Sequence, residues 1–259
     1  MTLNHSALET DQDVIASFFE AVSGELAQIS LDMPESDKTR EIARETQEFR
    51  IRLANTEDRR ESASILINKM YSWRGYEIND DPSENPNRIT LVASGNDNMA
   101  IGTLSIGLDS SVGLLADEMY HDELEQLRRQ GRKICEYNRL AVDPKIKSKR
   151  ILSSLFHIAY LYPHGVFGHT DGVLEVNPRH VKFYERMLGF TRIGEERICP
   201  RVNAPAVLLL TNFAYMAKQV EIFGGLMDKA VGEKSLYPYF FNKTDETGIL
   251  GRLRLRDAA

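Results

Sequence analysis

Glu175-Val176-Asn177-Pro178-Arg179-His180-Val181-Lys182-Phe183-Tyr184-Glu185-Arg186-Met187-Leu188-Gly189-Phe190 decides the fold. Val173, Leu174 and Val176 form a short apolar run that reads as a strand. The run enters Asn177-Pro178, where Asn is a favoured N-cap and Pro suits the first helical position. Val181, Tyr184 and Leu188 then recur at helical spacing on one face. Gly189 ends the helix where a left-handed backbone is needed, and a second strand begins at Phe190. The unit is therefore strand, capped helix with an inward Tyr184, and strand.

Outward from this unit the pattern is repeatedly α/β. Phe49, Ile51 and Leu53 alternate as a strand. Thr56 is a cap residue followed by Glu57 and Asp58, whose charge suits a helix N-terminus. The inner face of that helix is Ala63, Leu66, Ile67 and Met70. Residues 77–87, with two prolines and several Asn and Asp, read as loop. Strands are predicted near 88–94 and 99–107, a helix from Asp117 to Gln130 ending at Gly131, and a strand from Ile134 to Val142. Ser148 caps a helix carrying Ile151, Leu152, Leu155, Ile158, Ala159 and Tyr162, with Pro163 as its stop. A last strand spans Ala206 to Leu210 and an apolar helix 213–230. Beyond Ser235, Tyr237, Tyr239, Phe240 and Phe241 mix with Arg252, Arg254 and Arg256. The order β-α-β-β-α-β-α-β-α-β-β predicts an α/β fold, a mixed sheet covered by helices.

The 259 residues have an ordinary globular composition, 42% hydrophobic and 27% charged. No run approaches the roughly 18 apolar residues of a membrane span, and Met1-Thr2-Leu3-Asn4-His5 lacks the features of a secretory signal. Cys135 and Cys199 do not make a disulfide framework, so the expected location is cytoplasmic. The net charge of -6 is unevenly spread: residues 1–48 hold eleven acidic against three basic side chains, and the remainder is nearly neutral. Such a balance gives nucleic-acid binding no support. Residues 11–30 read as an amphipathic helix with Ile15, Phe18, Phe19, Val22, Leu26 and Ile29 on one face, and 31–47 as a polar linker. Three regions follow: an acidic helical N-terminal extension (1–48), a central domain (49–212), and a helical, aromatic C-terminal extension (213–259).

The strand–Asn-Pro–helix–Tyr–Leu-Gly-Phe–strand unit resembles the last conserved segment of the GNAT acyltransferases. In those enzymes a helix tyrosine sits beside the thioester sulfur, and the donor lies where two central strands diverge. Residues 101–117 and 123–143 sharpen the resemblance, together with Tyr71-Ser72-Trp73-Arg74-Gly75-Tyr76 and Asn203-Ala204-Pro205-Ala206-Val207-Leu208-Leu209. These segments resemble the long-chain N-acyl amino acid synthases, which are similar to the acyl-homoserine lactone synthases. The resemblance covers about residues 49–212. It implies a GNAT-like fold, no permanently bound cofactor, and transfer of a fatty acyl group to the amine of an amino acid. The donor would be acyl carrier protein bearing its phosphopantetheine, with coenzyme A as the alternative carrier.

Acetyl-CoA enzymes of that fold place glycines where a helix N-terminus meets the CoA pyrophosphate. Here the equivalent stretch is Lys147-Ser148-Lys149-Arg150-Ile151-Leu152, and Arg150 and Leu152 stand at the glycine positions. Lys145, Lys147, Lys149 and Arg150 form a basic cluster suited to steering an acidic carrier protein. The alternative is an ordinary solvated helix start.

Amide formation from a thioester needs a base for the amine, donors for the oxyanion and juxtaposed substrates. It needs no serine or cysteine nucleophile, so direct amine attack is expected. Glu136 is the candidate base: burial can raise a carboxylate from about 4.3 toward neutrality. It lies in Glu136-Tyr137-Asn138-Arg139, which resembles the Glu-x-x-Arg of the lactone synthases. Arg139 would pair with the substrate carboxylate. Residues three apart face opposite sides of a regular strand, so the two share a site only if a bulge intervenes. Asn138, on the Glu136 face, is the other polar contact. Tyr184 would protonate the departing sulfur. Tyr71, Arg74 and Tyr76 would shape the amino acid pocket, and Asn177 would contact substrate at the helix cap. Backbone N–H groups near Leu140 to Val142 are the expected oxyanion donors. His157, His164, His169 and His180 have no ligand spacing, and no metal is expected. For each side chain the alternative is structural: a salt-bridged Glu136, a sheet-holding Arg139, a core Tyr184, an aromatic surface loop at Tyr71 and Tyr76.

Three other activities stay open on the sequence. They are a lactone synthase, an acetyl-CoA-dependent N-acetyltransferase, and a catalytically silent module that binds lipid or carrier protein. Amino acid, acyl length and oligomeric state are not encoded legibly.

Overall fold

The computed structural model describes residues 13–21, 46–73, 75–76, 87–146 and 148–257. In chain order they form β1 (Ala16–Ala21), β2 (Thr46–Leu53), α1 (Glu57–Ser72), β3 (Arg88–Ser94), β4 (Ala100–Leu108), α2 (Asp117–Arg129) and β5 (Ile134–Val142). There follow α3 (Lys149–Leu161), β6 (Asp171–Val176), α4 (Val181–Leu188), β7 (Thr191–Arg192), β8 (Arg197–Cys199), β9 (Ala204–Asn212), α5 (Phe213–Phe223) and α6 (Lys243–Asp257). The strands make one mixed sheet ordered β1-β2-β3-β4-β5-β6-β9-β7, with β8 paired to β9. Among the described residues only β5 and β6 run parallel; the other pairs are antiparallel. This is the predicted α/β class.

Alternation along the strands sorts the core into layers. On one face, Leu66, Ile67 and Met70 of α1 pack on Ala141, while Tyr120, Leu124 and Leu127 of α2 pack on Ile134, Val173, Leu208 and Leu210. On the other, α3, α5 and α6 cover Leu104, Ile106, Tyr137, Leu174 and Leu209. α3 is buried along nearly its whole length, from Ile151 to Leu161.

Several local expectations are corrected. Within residues 11–30, Ala16–Ala21 is a strand, not a helix, with Ala16 and Phe18 buried and Phe19 63% exposed. The edge of β2 explains this, because pairing from Ala16↔Ile51 to Ala21↔Thr46 satisfies edge N–H and C=O groups of β2 that a helix at this position would leave unpaired. Residues 11–12 and 22–30 of that expected helix, the 31–45 part of the linker and the 77–86 part of the predicted loop lie outside the described residues. Pro163 does not stop the helix begun by α3; the chain continues through a wide turn over Tyr162–Val166. The expected helix 213–230 ends at Phe223, and the strand expected at Phe190 is only Thr191–Arg192. β8 and α6 were not anticipated. α6 joins the same core through Ile249 and Leu253, and Arg252 Nε donates to the Ile15 carbonyl at 2.7 Å.

Candidate active site

The cap, helix and left-handed stop of the deciding stretch fold as read. Asn177 caps the turn Pro178–His180 by accepting from Arg179 N at 3.3 Å, and α4 follows. Gly189 closes α4 at φ +71°, a conformation that costs a β-carbon-bearing residue energy. The asparagine also ties the cap to the start of β9, donating from Nδ2 to the Pro205 carbonyl at 3.2 Å.

A cleft opens beside this unit. β5 and β6 pair from Ile134↔Asp171 to Tyr137↔Leu174 and then separate. A cavity of about 830 Å³ fills the separation. Leu104, Leu140, Leu152, Phe156, Leu174 and Val176 line its apolar side, and Glu136, Asn138, Arg139, Glu175 and Arg201 its polar side. Tyr71, Tyr76, Asn177 and Tyr184 also line it, so the structure brings together most of the side chains singled out from sequence. Arg74 lies outside the described residues.

The condition for Glu136 and Arg139 to share a site is met. Pairing moves from Thr103↔Ala141 to Ser105↔Asn138, so three steps on β5 oppose two on β4. Arg139 takes φ +53° at this bulge, and Thr103 Oγ1 donates to its carbonyl at 3.0 Å. Arg139 also lines a second cavity of about 220 Å³ between β2, β3 and α1.

Glu136 is 2% exposed. Its Oε2 accepts from Leu115 N at 2.8 Å and Ala116 N at 3.4 Å, at the start of α2, where backbone donors favour an anion. Burial nevertheless dominates: it lifts the carboxyl to about 8, aided by the nearby Glu175 charge and opposed by Arg201 and the two amides. Glu175 titrates above the usual carboxylate range through burial, although Arg201 bridges it to Glu118. Burial raises the Cys135 thiol too, leaving it a poor nucleophile.

Tyr184 is half-buried, with its ring 6.2 Å from Phe156, 5.9 Å from Phe190 and 5.3 Å from Phe183. Tyr71 and Tyr76 meet at 6.2 Å in an edge-to-face pair on the cleft wall.

Residues 62–212 match the protein family described as N-acyl amino acid synthase FeeM. The chain belongs to the FeeM family of N-acyl amino acid synthases. It is accordingly an acyltransferase. The solved structure of FeeM, from uncultured soil microbes, is 28% identical with a TM-score of 0.59, covering 65% of this chain and 92% of that one. A putative N-acetyltransferase from Lactobacillus plantarum gives 15% identity and a TM-score of 0.47, over 64% of this chain and 98% of its own. The acyl-homoserine lactone synthase LasI gives 12% and 0.45, over 64% and 90%. No curated protein sequence matches.

Within this synthase family member, the start of α3 carries more than surface charge. Ser148 caps it, accepting from Ile151 N at 3.0 Å, and its hydroxyl donates to the Glu20 carboxylate of β1. Arg150 lies over the Phe18 ring at 4.6 Å and donates to the Phe19 carbonyl at 3.2 Å. Arg150 therefore holds the edge strand. Lys145 and Lys149 are exposed, with Lys149 Nζ 5.3 Å from the Tyr239 ring centre, and Lys147 lies outside the described residues. Among the described residues no group of three or more His, Cys, Asp or Glu could hold a metal ion, and no helix is long and apolar enough to cross a membrane.

Sequence reasoning passed over Glu175 and Arg201. Glu175 stood inside the deciding stretch, but its ion-pair partner is 26 positions away, and no local pattern joins them.

Proposed function

We propose that this acyltransferase moves a long-chain acyl group from acyl carrier protein to the α-amine of an amino acid by direct attack of the amine on the thioester. The observation that carries this reading is a buried Glu136, titrating near 8, at the point where β5 and β6 part. A base with that value is well matched to an α-amino group, which titrates near ~8 in peptides.

In this reading Glu136 takes a proton from the ammonium, and the freed nitrogen attacks the thioester carbonyl carbon. The new C–N bond forms as the carbonyl oxygen becomes an oxyanion. Main-chain N–H groups on the edge of β5 beyond Tyr137, where no β6 partner runs, would hold that oxygen. The C–S bond then breaks. Tyr184 donates a proton to the leaving sulfur and recovers one from the amide nitrogen through solvent, while the proton on Glu136 passes to water. Arg139 would hold the substrate carboxylate, Tyr71 and Tyr76 the side of the acceptor, and the apolar wall from Leu104 to Val176 the acyl chain.

Carrier protein is favoured over coenzyme A because the start of α3 is already engaged. The Glu20 carboxylate lies on the Ser148 hydroxyl, and a pyrophosphate there would meet like charge. Lys145 and Lys149 remain as docking charges.

Mass spectrometry of extracts from cells expressing wild type and Glu136→Ala tests the reading. A new N-acyl amino acid, absent with the variant, is expected. A lactone, or no new lipid from folded protein, refutes it. Purified enzyme given equal acyl-carrier protein and acyl-CoA should favour the former; equal turnover would remove the carrier-protein assignment.

A further inference from the structure

Beyond the candidate base, the polar side of the cleft holds two acceptors with nothing to accept. Asn138 Oδ1 and Glu175 Oε1 are buried and have no hydrogen-bond partner, while both side chains line the cavity. Their placement follows from the register. Tyr137↔Leu174 is the last pair of β5 and β6, so Asn138 and Glu175 are the next residues on each strand, the first to face one another across the opening. Both lie two positions beyond residues on the α2 face: Asn138 beyond Glu136, Glu175 beyond Val173.

Buried polar atoms are almost always satisfied, and leaving one without a partner costs free energy comparable to a lost hydrogen bond. Two such atoms at one opening call for a donor that the described residues do not supply. The required ligand must bring several N–H groups to oxygens on two neighbouring strands. Its charge must suit a wall where two carboxylates, Glu136 and Glu175, face Arg201 with Glu118 behind it and Arg139 beside them. A primary ammonium has three donors in a small volume and a positive charge. A hydroxyl has one donor, and a carboxylate none.

We propose that Asn138 Oδ1 and Glu175 Oε1, with the Glu136 carboxylate, form a three-acceptor seat for a primary ammonium group. The proposal rests on the acyltransferase reading above, deepening it by naming the groups that hold the acceptor's nitrogen. Two of the seat's members bind the ammonium, and the third, Glu136, takes its proton. Glu175 and Asn138 are thus specificity-determining: they select an amine over the isosteric alcohol. The Oε2 atom of Glu175 stays with Arg201, which fixes the carboxylate's orientation.

The test uses matched ligands on purified full-length protein. Each of the twenty protein amino acids is titrated by calorimetry against wild type, and the best binder is paired with its 2-hydroxy acid. Glu175→Gln and Asn138→Ala are then titrated with both. Asn138→Ala leaves the Glu175–Arg201 ion pair intact, so it guards against a Glu175→Gln effect arising from loss of that pair. The expected result is a loss of about tenfold or more in amino acid affinity in each variant, with affinity for the hydroxy acid changed by less than about twofold. Equal losses for amine and alcohol, or no loss for either, would overturn the seat. If N-acyl amino acid forms normally but both variants bind the amine as wild type does, the seat fails and the acyltransferase reading stands. If no amino acid binds and no N-acyl product forms, both fail.

Discussion

The two sides of the cleft differ sharply in chemistry. On the α2 side, Glu136, Asn138, Arg139, Glu175 and Arg201 crowd carboxylates, an amide and guanidinium groups into a partly buried wall. On the α3 side, Leu104, Leu140, Leu152, Phe156, Leu174 and Val176 present only hydrocarbon. A regular sheet would keep these two environments apart, one on each face. The parting of β5 and β6 joins them, so one opening can hold an apolar chain and a charged group end to end. The difference teaches that polar and apolar groups meet in one opening from opposite faces of the same strands, and substitutions on the two faces should fail differently.

The largest effect is expected on the polar side. Glu136→Ala should lower kcat/KM by about 10²–10⁴-fold, the usual worth of a positioned base, measured as free thiol released from the acyl donor. A loss below tenfold in folded protein would show that the polar wall does not drive the reaction.

The same group sets a pH dependence. A base must be ionised, so kcat/KM in wild type should rise with pH and level off above about 8. Stability runs the other way. Because the folded value lies above the ordinary 4.5, the native state holds its proton more tightly than the unfolded chain does, and stability falls as pH rises between about 4.5 and 8. Denaturation of Glu136→Gln across that range should lack this component of the fall; an unchanged pH profile of stability would contradict the burial argument.

On the apolar side, Phe156→Ala should cost about 3–5 kcal/mol in urea unfolding, as expected for a 1%-exposed aromatic, and shift product toward longer acyl chains. It should leave the pH midpoint of kcat/KM in place. Movement of that midpoint would break the separation of the two sides.

The smallest effect belongs to the residue lying between them. Tyr184→Phe should reduce kcat by less than about tenfold, since a thiolate leaves with little help. Pre-steady-state thiol release would show it, and a loss comparable to that of Glu136→Ala would make proton delivery to sulfur the harder step.

Local chemistry explains which parts of this were legible. Asn177, Pro178 and Gly189 each act within a turn, so their roles as cap, first helical residue and left-handed stop could be read directly. Ser148 is of the same kind. Phe18 misled because its neighbours fit a helical spacing, whereas the free edge of β2 decided its conformation. α6 escaped because Gly248 and Gly251 interrupt it and only burial of Ile249 and Leu253 on a remote surface favours helix. The bulge at Arg139 carries no glycine to announce it. The candidate base was visible as a carboxylate on an apolar strand, but Glu175, Arg201 and the Leu115 amide reach it from distant segments.

The fastening of β1 has a consequence for assembly in time. The Ile15 carbonyl receives its hydrogen bond from Arg252, 237 positions later, and Asp13 lies within reach of both Arg59 and Arg256. The last contacts of the strand thus cannot close until that distant helix has been made. Until then β2 is a bare edge, the kind of surface on which nascent chains adhere to one another. Closure over so long a separation is slow, so the docking of β1 should be the late event that converts a folded sheet into a finished protein.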